Sequence, residues 1–291
     1  MGVGIAQVFA SAGHRVVVYE PVAEVRHTVR VRVGDLLRLY RADESVAPLI
    51  HVTGDLNEAV SSADYVTEAA PEKLDLKQSL FADLVRLAPT EAILASNTSV
   101  IPIHRIARDL PTRERIVGTH WWNPAGLIPL VEVIQSDRTS PVTIATTMEL
   151  LRSVGKAPAH VSKDVPGFVA NRLQHALWRE AIAMVAEGVC DAGTLDACVK
   201  NSFGMRLAVL GPLENADLVG LDLTLDIHKT IMPELSRMDR PHPYLASQVS
   251  AGKLGFKTGQ GFRPWSEAEM SEVRTRLASH LLKARTTSAV A

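Results

Sequence analysis

The chain has 291 residues, 46% of them hydrophobic and 22% charged, with 31 basic against 32 acidic side chains and a net charge of -1. That leaves room for two domains with a real core, and the balanced charge excludes a global field that would draw nucleic acid or an anionic membrane. Two cysteines are too few for a disulfide framework, and no apolar run approaches the roughly 20 residues of a bilayer span, so a reducing, cytoplasmic setting is expected.

The chain opens MGVGIAQVFASAGHRVVVYEP, a helix of small residues followed by a strand that ends in an acid. In a dinucleotide-binding unit G-x-G-x-x-G opens such a helix, and an acidic residue follows about 20 positions later. Gly2 and Glu20 fit the last glycine and the acid. The first two glycines, and the strand that would carry them, have no counterpart here. VGIAQVFASA ends in small residues as a signal peptide does, but no basic residue precedes it.

Further along, RVVVYE (15 to 20), LIHVTG (49 to 54), YVTEAA (65 to 70), AILAS (92 to 96), RIVGTH (115 to 120), PLVEVI (129 to 134) and PAHVS (158 to 162) read as strands. Helical stretches separate them, among them EKLDLKQSLFADLVRLA with Leu76, Leu80, Phe81, Leu84 and Leu87 at helical spacing. This alternation predicts a doubly wound, Rossmann-like α/β domain over residues 1–164, with a parallel sheet covered on both faces and its first strand missing from the chain. After DVPGF the pattern turns helical, so an all-helical domain is expected over 165–291, with RTTSAVA fraying at the end. Its first helix is apolar on several sides, at Leu173, Leu177, Trp178, Ile182 and Val185, which fits either a subunit interface or burial inside the domain.

The chemistry is expected in GTHWWNPAGLIPLVEVI, residues 118 to 134. His120 ends a strand at the carboxyl edge of the sheet, where open α/β sheets bind ligands. Glu132 alternates with the apolar Val131 and Val133, so a loop that folds back brings its carboxylate to the imidazole as a proton-transfer pair. A core-edge histidine with an exposed glutamate is the structural alternative. No H-E-x-x-H, paired C-x-x-C, acidic metal cluster or G-x-S-x-G elbow occurs, so no metal is expected.

Seven segments in order resemble the 3-hydroxyacyl-CoA dehydrogenase family: MGVGIA with Glu20, EAAPEKLDLK, ASNTS, GTHWWNP with the later glutamate, DVPGFVANRL, GPLENADLVGLD and GKLGFKTGQGF. The resemblance implies an NAD-dependent enzyme oxidising the 3-hydroxyl of a short-chain 3-hydroxyacyl-CoA, with fatty acid metabolism as its setting. It makes His120 the catalytic base and Glu132 its partner, with Ser99 and Asn171 holding the reacting oxygen and Asn123 supporting the histidine loop. It assigns Gly2, Gly4, Glu20, Glu72, Lys77 and Asn97 to the cofactor, Glu72 and Lys77 at its nicotinamide end. Glu20 can accept from both ribose hydroxyls and would repel a 2'-phosphate, which favours NAD over NADP. A homodimer is the family expectation.

The family's glycine motif continues G-x-G-x-M-G-x-G-I-A, and MGVGIA matches its second half. An internal methionine taken as the start is therefore the simplest account, and a chain built as written is expected to bind NAD poorly. Two other functions stay open. APEKLDLK and SFGMRLAVLGPLE resemble the branch that oxidises free 3-hydroxy acids such as gulonate and carnitine. A non-catalytic scaffold, as among lens crystallins, is the other. Trp121 and Trp122 replace the two phenylalanines usual in CoA members and narrow the expected pocket.

Overall fold

In the computed structural model, which describes residues 1–288 and their side chains through 284, all seven expected strands form. They are β1 (Val16–Tyr19), β2 (Ile50–Thr53), β3 (Tyr65–Glu68), β4 (Ile93–Ser96), β5 (Ile116–Trp121), β6 (Leu130–Ile134) and β7 (Ala157–Val161). Six helices lie between and around them: α1 (Gly2–Ser11), α2 (Ala23–Leu39), α3 (Leu56–Val60), α4 (Leu74–Leu87), α5 (Ile103–Ile106) and α6 (Pro141–Ser153).

The strands make two sheets instead of one. β1 and β2 pair in parallel, and β3 to β7 follow in sequence order as a separate five-stranded sheet. In the 3-2-1-4-5-6 order of a Rossmann sheet, the first strand lies between the counterparts of β1 and β3. No ladder joins those two strands, and the sheet divides there. One expectation needs correction: β6 runs antiparallel to β5, so the large sheet is mixed. Alternating side chains are buried the same way in either direction, so strand pattern alone carries no sign of the reversal.

Strand alternation sorts the core into faces. Leu94 and Ile116 pack with Phe81, Leu84 and Ile103 on one side, where Val17, Tyr19 and Val66 join them. Ala95, Val117, Val131 and Val133 turn to the other side, against Ile5 and Val8 of α1 and Ile144 and Leu151 of α6. The next face of α1, Ala6 and Ala10, meets Val29, Val33 and Leu37 of α2 and Ile50 of β2. Gly118 sits mid-strand because a Cβ there would lie 2.9 Å from both Ile103 and Ile134.

The chain divides into two compact units, one of Met1–Asn171 with the described residues from Ala278 onward, the other of Arg172–Leu277. The second unit is helical: α7 (Ala170–Ala186, begun in the first unit), α8 (Ala192–Lys200), α9 (Pro212–Val219), α10 (Leu221–Ile231), α11 (Pro243–Ser250) and the start of α12 (Glu267–Ser288). GKLGFKTGQGF is a chain of turns with isolated bridges such as Gly255 to Gln260. The first residues of RTTSAVA continue α12, and residues 289–291 lie outside the described residues. Among the described residues no helix is long and apolar enough to cross a membrane.

Candidate active site

The β5–β6 reversal is what builds the site. In that antiparallel ladder His120 stands directly opposite Glu132. Opposed residues project from the same face, a few ångströms apart. Nδ1 of His120 lies 2.7 Å from Oε2 of Glu132, and both side chains are buried. The other carboxylate oxygen, Oε1, accepts the N–H groups of Val169 at 2.9 Å and Ala170 at 3.1 Å, where α7 begins. The Trp122 indole N–H reaches Oε2 at 3.4 Å.

Burial by itself would raise the Glu132 carboxyl. Hydrogen bonds from His120, Ala170 and Val169, and the imidazole charge, outweigh it and hold the group below the ordinary glutamate value. An ionised Glu132 accepts the Nδ1 proton of a neutral imidazole, which leaves the lone pair on Nε2. Among the described residues Nε2 has no hydrogen-bond partner. The ring is wedged between Trp122, 5.3 Å away centroid to centroid, and Phe168 at 5.6 Å. Phe168 is buried with φ at 49°, a left-handed conformation that costs a bulky residue energy and is kept only where the surroundings impose it.

Ser99 and Asn171 come together beside this pair, although 72 positions separate them in the chain. The Asn171 Nδ2 donates to the Ser99 carbonyl at 3.1 Å, directly after the Ala170 amide that binds Glu132. Glu72 holds the serine loop from the other side: its Oε1 accepts the Thr98 hydroxyl at 2.5 Å and the amides of Ser99, Val100 and Ile101 at 3.0, 3.0 and 3.3 Å. That collar of donors, after burial has pushed the other way, keeps the Glu72 carboxyl below its ordinary value. The Ser99 hydroxyl itself is unengaged among the described residues.

Lys77 is fully buried. Its ammonium bonds both oxygens of Glu68, at 2.7 and 3.0 Å, with Glu72 at 3.6 Å. Glu68 also accepts the Ser96 hydroxyl at 2.6 Å and the Ala70 amide at 2.6 Å, so one carboxylate ties the ends of β3 and β4 to α4. Asn97 continues this seam, its Oδ1 accepting the Trp121 amide at 2.9 Å. Glu68 and Ser96 escaped sequence reasoning because a buried polar residue at a strand end looks like any other until its partners are known, and Phe168 because an apolar residue in a turn carries no mark of the ring it packs against. Lys156 escaped it too. Its ammonium donates to the carbonyls of Ala125 and Ile128 and lies over the Trp121 ring, which pins the loop after His120.

The nucleotide side is more open. Gly2 and Gly4 start α1; the Gly4 amide donates to the Met1 carbonyl at 2.8 Å, and the amides ahead of it, Gly2 and Val3, are the open ones of the first turn. A Cβ on Gly4 would stand 3.2 Å from that of Ala125, a tight fit that glycine relieves. Glu20 directly follows β1, spends Oε1 on the Val22 amide at 3.0 Å, and leaves Oε2 without a partner among the described residues. Asn123 is exposed, at the rim of a 310 Å³ cavity it shares with Gly4, Arg32 and Tyr40. Open amides at a helix start and an unspent carboxylate oxygen at a strand end fit the pyrophosphate and ribose of NAD. No cluster of three His, Cys, Asp or Glu side chains able to hold a metal occurs among the described residues.

An α/β nucleotide-binding sheet with a buried acid–base pair beside it defines the class, a dehydrogenase. Comparison makes it specific. Residues 1–165 match the model of the 3-hydroxyacyl-CoA dehydrogenase NAD binding domain, and 167–265 match that family's C-terminal domain. The 5-formyl-3-hydroxy-2-methylpyridine 4-carboxylate 5-dehydrogenase of Mesorhizobium japonicum is 37% identical over 98% of this chain and 94% of its own. A crystal structure of a 5-formyl-3-hydroxy-2-methylpyridine 4-carboxylic acid 5-dehydrogenase, described as an NAD+ dependent dismutase, superposes with a TM-score of 0.90 at 34% identity, covering 98% of this chain and 94% of that one. The 3-hydroxybutyryl-CoA dehydrogenase structure from Escherichia coli gives 0.75 at 32% identity, covering 91% of this chain and 57% of the other. The chain belongs to the 3-hydroxyacyl-CoA dehydrogenase family. It is an oxidoreductase acting on CH–OH groups, with NAD as its cofactor.

Proposed function

We propose that this protein oxidises a secondary or primary hydroxyl of a small substrate, with Nε2 of His120 as the base that removes the hydroxyl proton. The buried 2.7 Å contact between Nδ1 and Glu132 carries this reading, because it orients the imidazole and leaves Nε2 as its acceptor. As the proton arrives, Glu132 stabilises the imidazolium. The amides of Val169 and Ala170 keep the carboxylate ionised and in place. Ser99 and Asn171 hold the reacting oxygen. NAD, when bound, accepts the hydride from the same carbon.

Two substrate classes fit, and an observation favours each. The TM-score of 0.90 against 0.75 favours a compact free acid of the kind named for the pyridine carboxylate enzyme, an acid whose formyl carbon gains the hydroxyl this step needs by adding water. The indole of Trp122, close against His120, narrows the space there and points the same way. The family model favours a short-chain 3-hydroxyacyl-CoA. We place the free acid first. Residues 1–164 would then hold NAD and 165–291 the substrate and a second copy of the chain. Between Arg172 and Leu277 only Ala183 is a buried hydrophobic residue, while Leu213, Leu218, Leu221 and Leu225 are exposed, an apolar surface that a homodimer would cover.

NADH formation measured across hydroxymethyl and formyl pyridine carboxylates, carnitine, gulonate and 3-hydroxybutyryl-CoA separates the classes. Activity on the CoA ester alone would reverse the ranking. His120→Gln should lower kcat by ~10²–10⁴-fold with NAD affinity unchanged, since that is what a positioned base contributes. Kinetics near wild type would end the proton-transfer assignment.

A further inference from the structure

At the open nucleotide side one arginine is set in an unusual way. Arg26 belongs to the first turns of α2, and its Nη1 reaches back to the Glu20 carbonyl at 2.7 Å and the Pro21 carbonyl at 3.3 Å. Glu20 in turn is tied to β2 through its amide, which donates to the Thr53 carbonyl at 3.0 Å. The next residue, Gly54, leaves room for the guanidinium: a Cβ there would stand 2.5 Å from Nη1 and 2.8 Å from Cζ. The guanidinium therefore lies across the carboxyl ends of both β1 and β2, in the turn that carries Glu20.

This cation is half-buried and has no carboxylate within ion-pair distance among the described residues. Its Nε and Nη2 have no acceptor there either. An arginine's fork is built to take oxyanions by two parallel hydrogen bonds, and phosphate is its best match. In a dinucleotide site the acid at this strand end binds the adenosine ribose, and an arginine nearby is what accommodates a 2'-phosphate.

We propose that Arg26 is a specificity-determining residue of the adenosine subsite: it supplies a 2'-phosphate partner, so that the Glu20 carboxylate alone keeps this protein on NAD. Removing that charge opens the site to NADP. The inference rests on NAD binding at Glu20 but not on any substrate, and equilibrium binding tests it without turnover.

NAD+ and NADP+ are titrated against the full chain, followed by calorimetry, in the wild type, Glu20→Gln, Arg26→Met and the double variant. Glu20→Gln should tighten NADP+ by about tenfold or more, since a like charge beside the phosphate is gone. Adding Arg26→Met should erase most of that gain, while Arg26→Met alone leaves NAD+ within about threefold. A double variant that holds NADP+ as well as Glu20→Gln does, or an Arg26→Met that weakens both nucleotides alike, would reduce Arg26 to a clamp of the β1–α2 turn. A wild type that binds neither nucleotide would remove the cofactor site and this proposal together. NAD+ binding with no oxidation of any hydroxyl substrate would remove only the catalytic reading.

Discussion

The five-stranded sheet and the two-stranded sheet were built from the same kind of sequence, short runs of β-branched residues between helices, and they ended up in different conditions. Every residue of β4 and β5 is buried, while all four of β1 are only partly so. The difference tracks pairing. β4 has a hydrogen-bonded neighbour on each side, whereas β1 has β2 alone. Helices cover both faces of β1, yet an unpaired edge leaves its backbone and side chains within reach of water. The functional groups divide the same way. Around the large sheet, Glu132, Glu72 and Glu68 each accept several hydrogen bonds. On the small sheet Glu20 accepts one. A proton-transfer group needs a fixed position and protonation state, and saturated bonding provides both. A ribose-binding carboxylate needs a free lone pair, and an open edge leaves one.

The sharpest way to break this contrast is to unpair a buried charge in the large sheet. Lys77→Met strands Glu68 in the interior and should cost about 3–5 kcal/mol of unfolding free energy, read by urea denaturation. A loss below about 1 kcal/mol would mean that water reaches that carboxylate. A gentler comparison matches one side chain between the sheets. Val133→Ala in β6 should cost about 2 kcal/mol and Val17→Ala in β1 about 1 kcal/mol or less, because Val133 is fully buried and Val17 is not. Equal losses would contradict the idea that pairing makes the difference.

The smallest effect concerns acid. The folded-state pKa of Glu132 lies below the ordinary 4.5, so its contribution to stability is complete above that value and is lost as pH falls through the folded pKa. Wild type and Glu132→Gln should therefore differ most in Tm near neutrality and converge in acid. A gap that stays constant as pH falls from neutrality would show that the carboxylate's ionisation contributes nothing there.

Much of this was readable in the chain. Seven strands were placed within one or two residues, because short apolar, β-branched runs bounded by polar turns stand out from the helical stretches between them. The alternation of Glu132 with Val131 and Val133 allowed His120 and Glu132 as a pair, and it was the family resemblance that chose that reading over a core-edge histidine. The roles of Glu72 and Lys77 looked alike on paper, two charges at the start of one helix. In the fold, one collars the Ser99 loop and the other is sealed beneath it. Helical spacing could not separate them, since the groups that receive them come from β3, β4 and the loop after β4.

Local chain chemistry thus determined which residues become strands and helices and which of them can carry a proton or a ribose, for those properties belong to single side chains and their near neighbours. Tertiary structure alone decided that β6 turns antiparallel and that Glu68 receives Lys77. Each depends on hydrogen bonds between residues from different elements, and such bonds are chosen by geometry in space, which sequence order does not encode residue by residue.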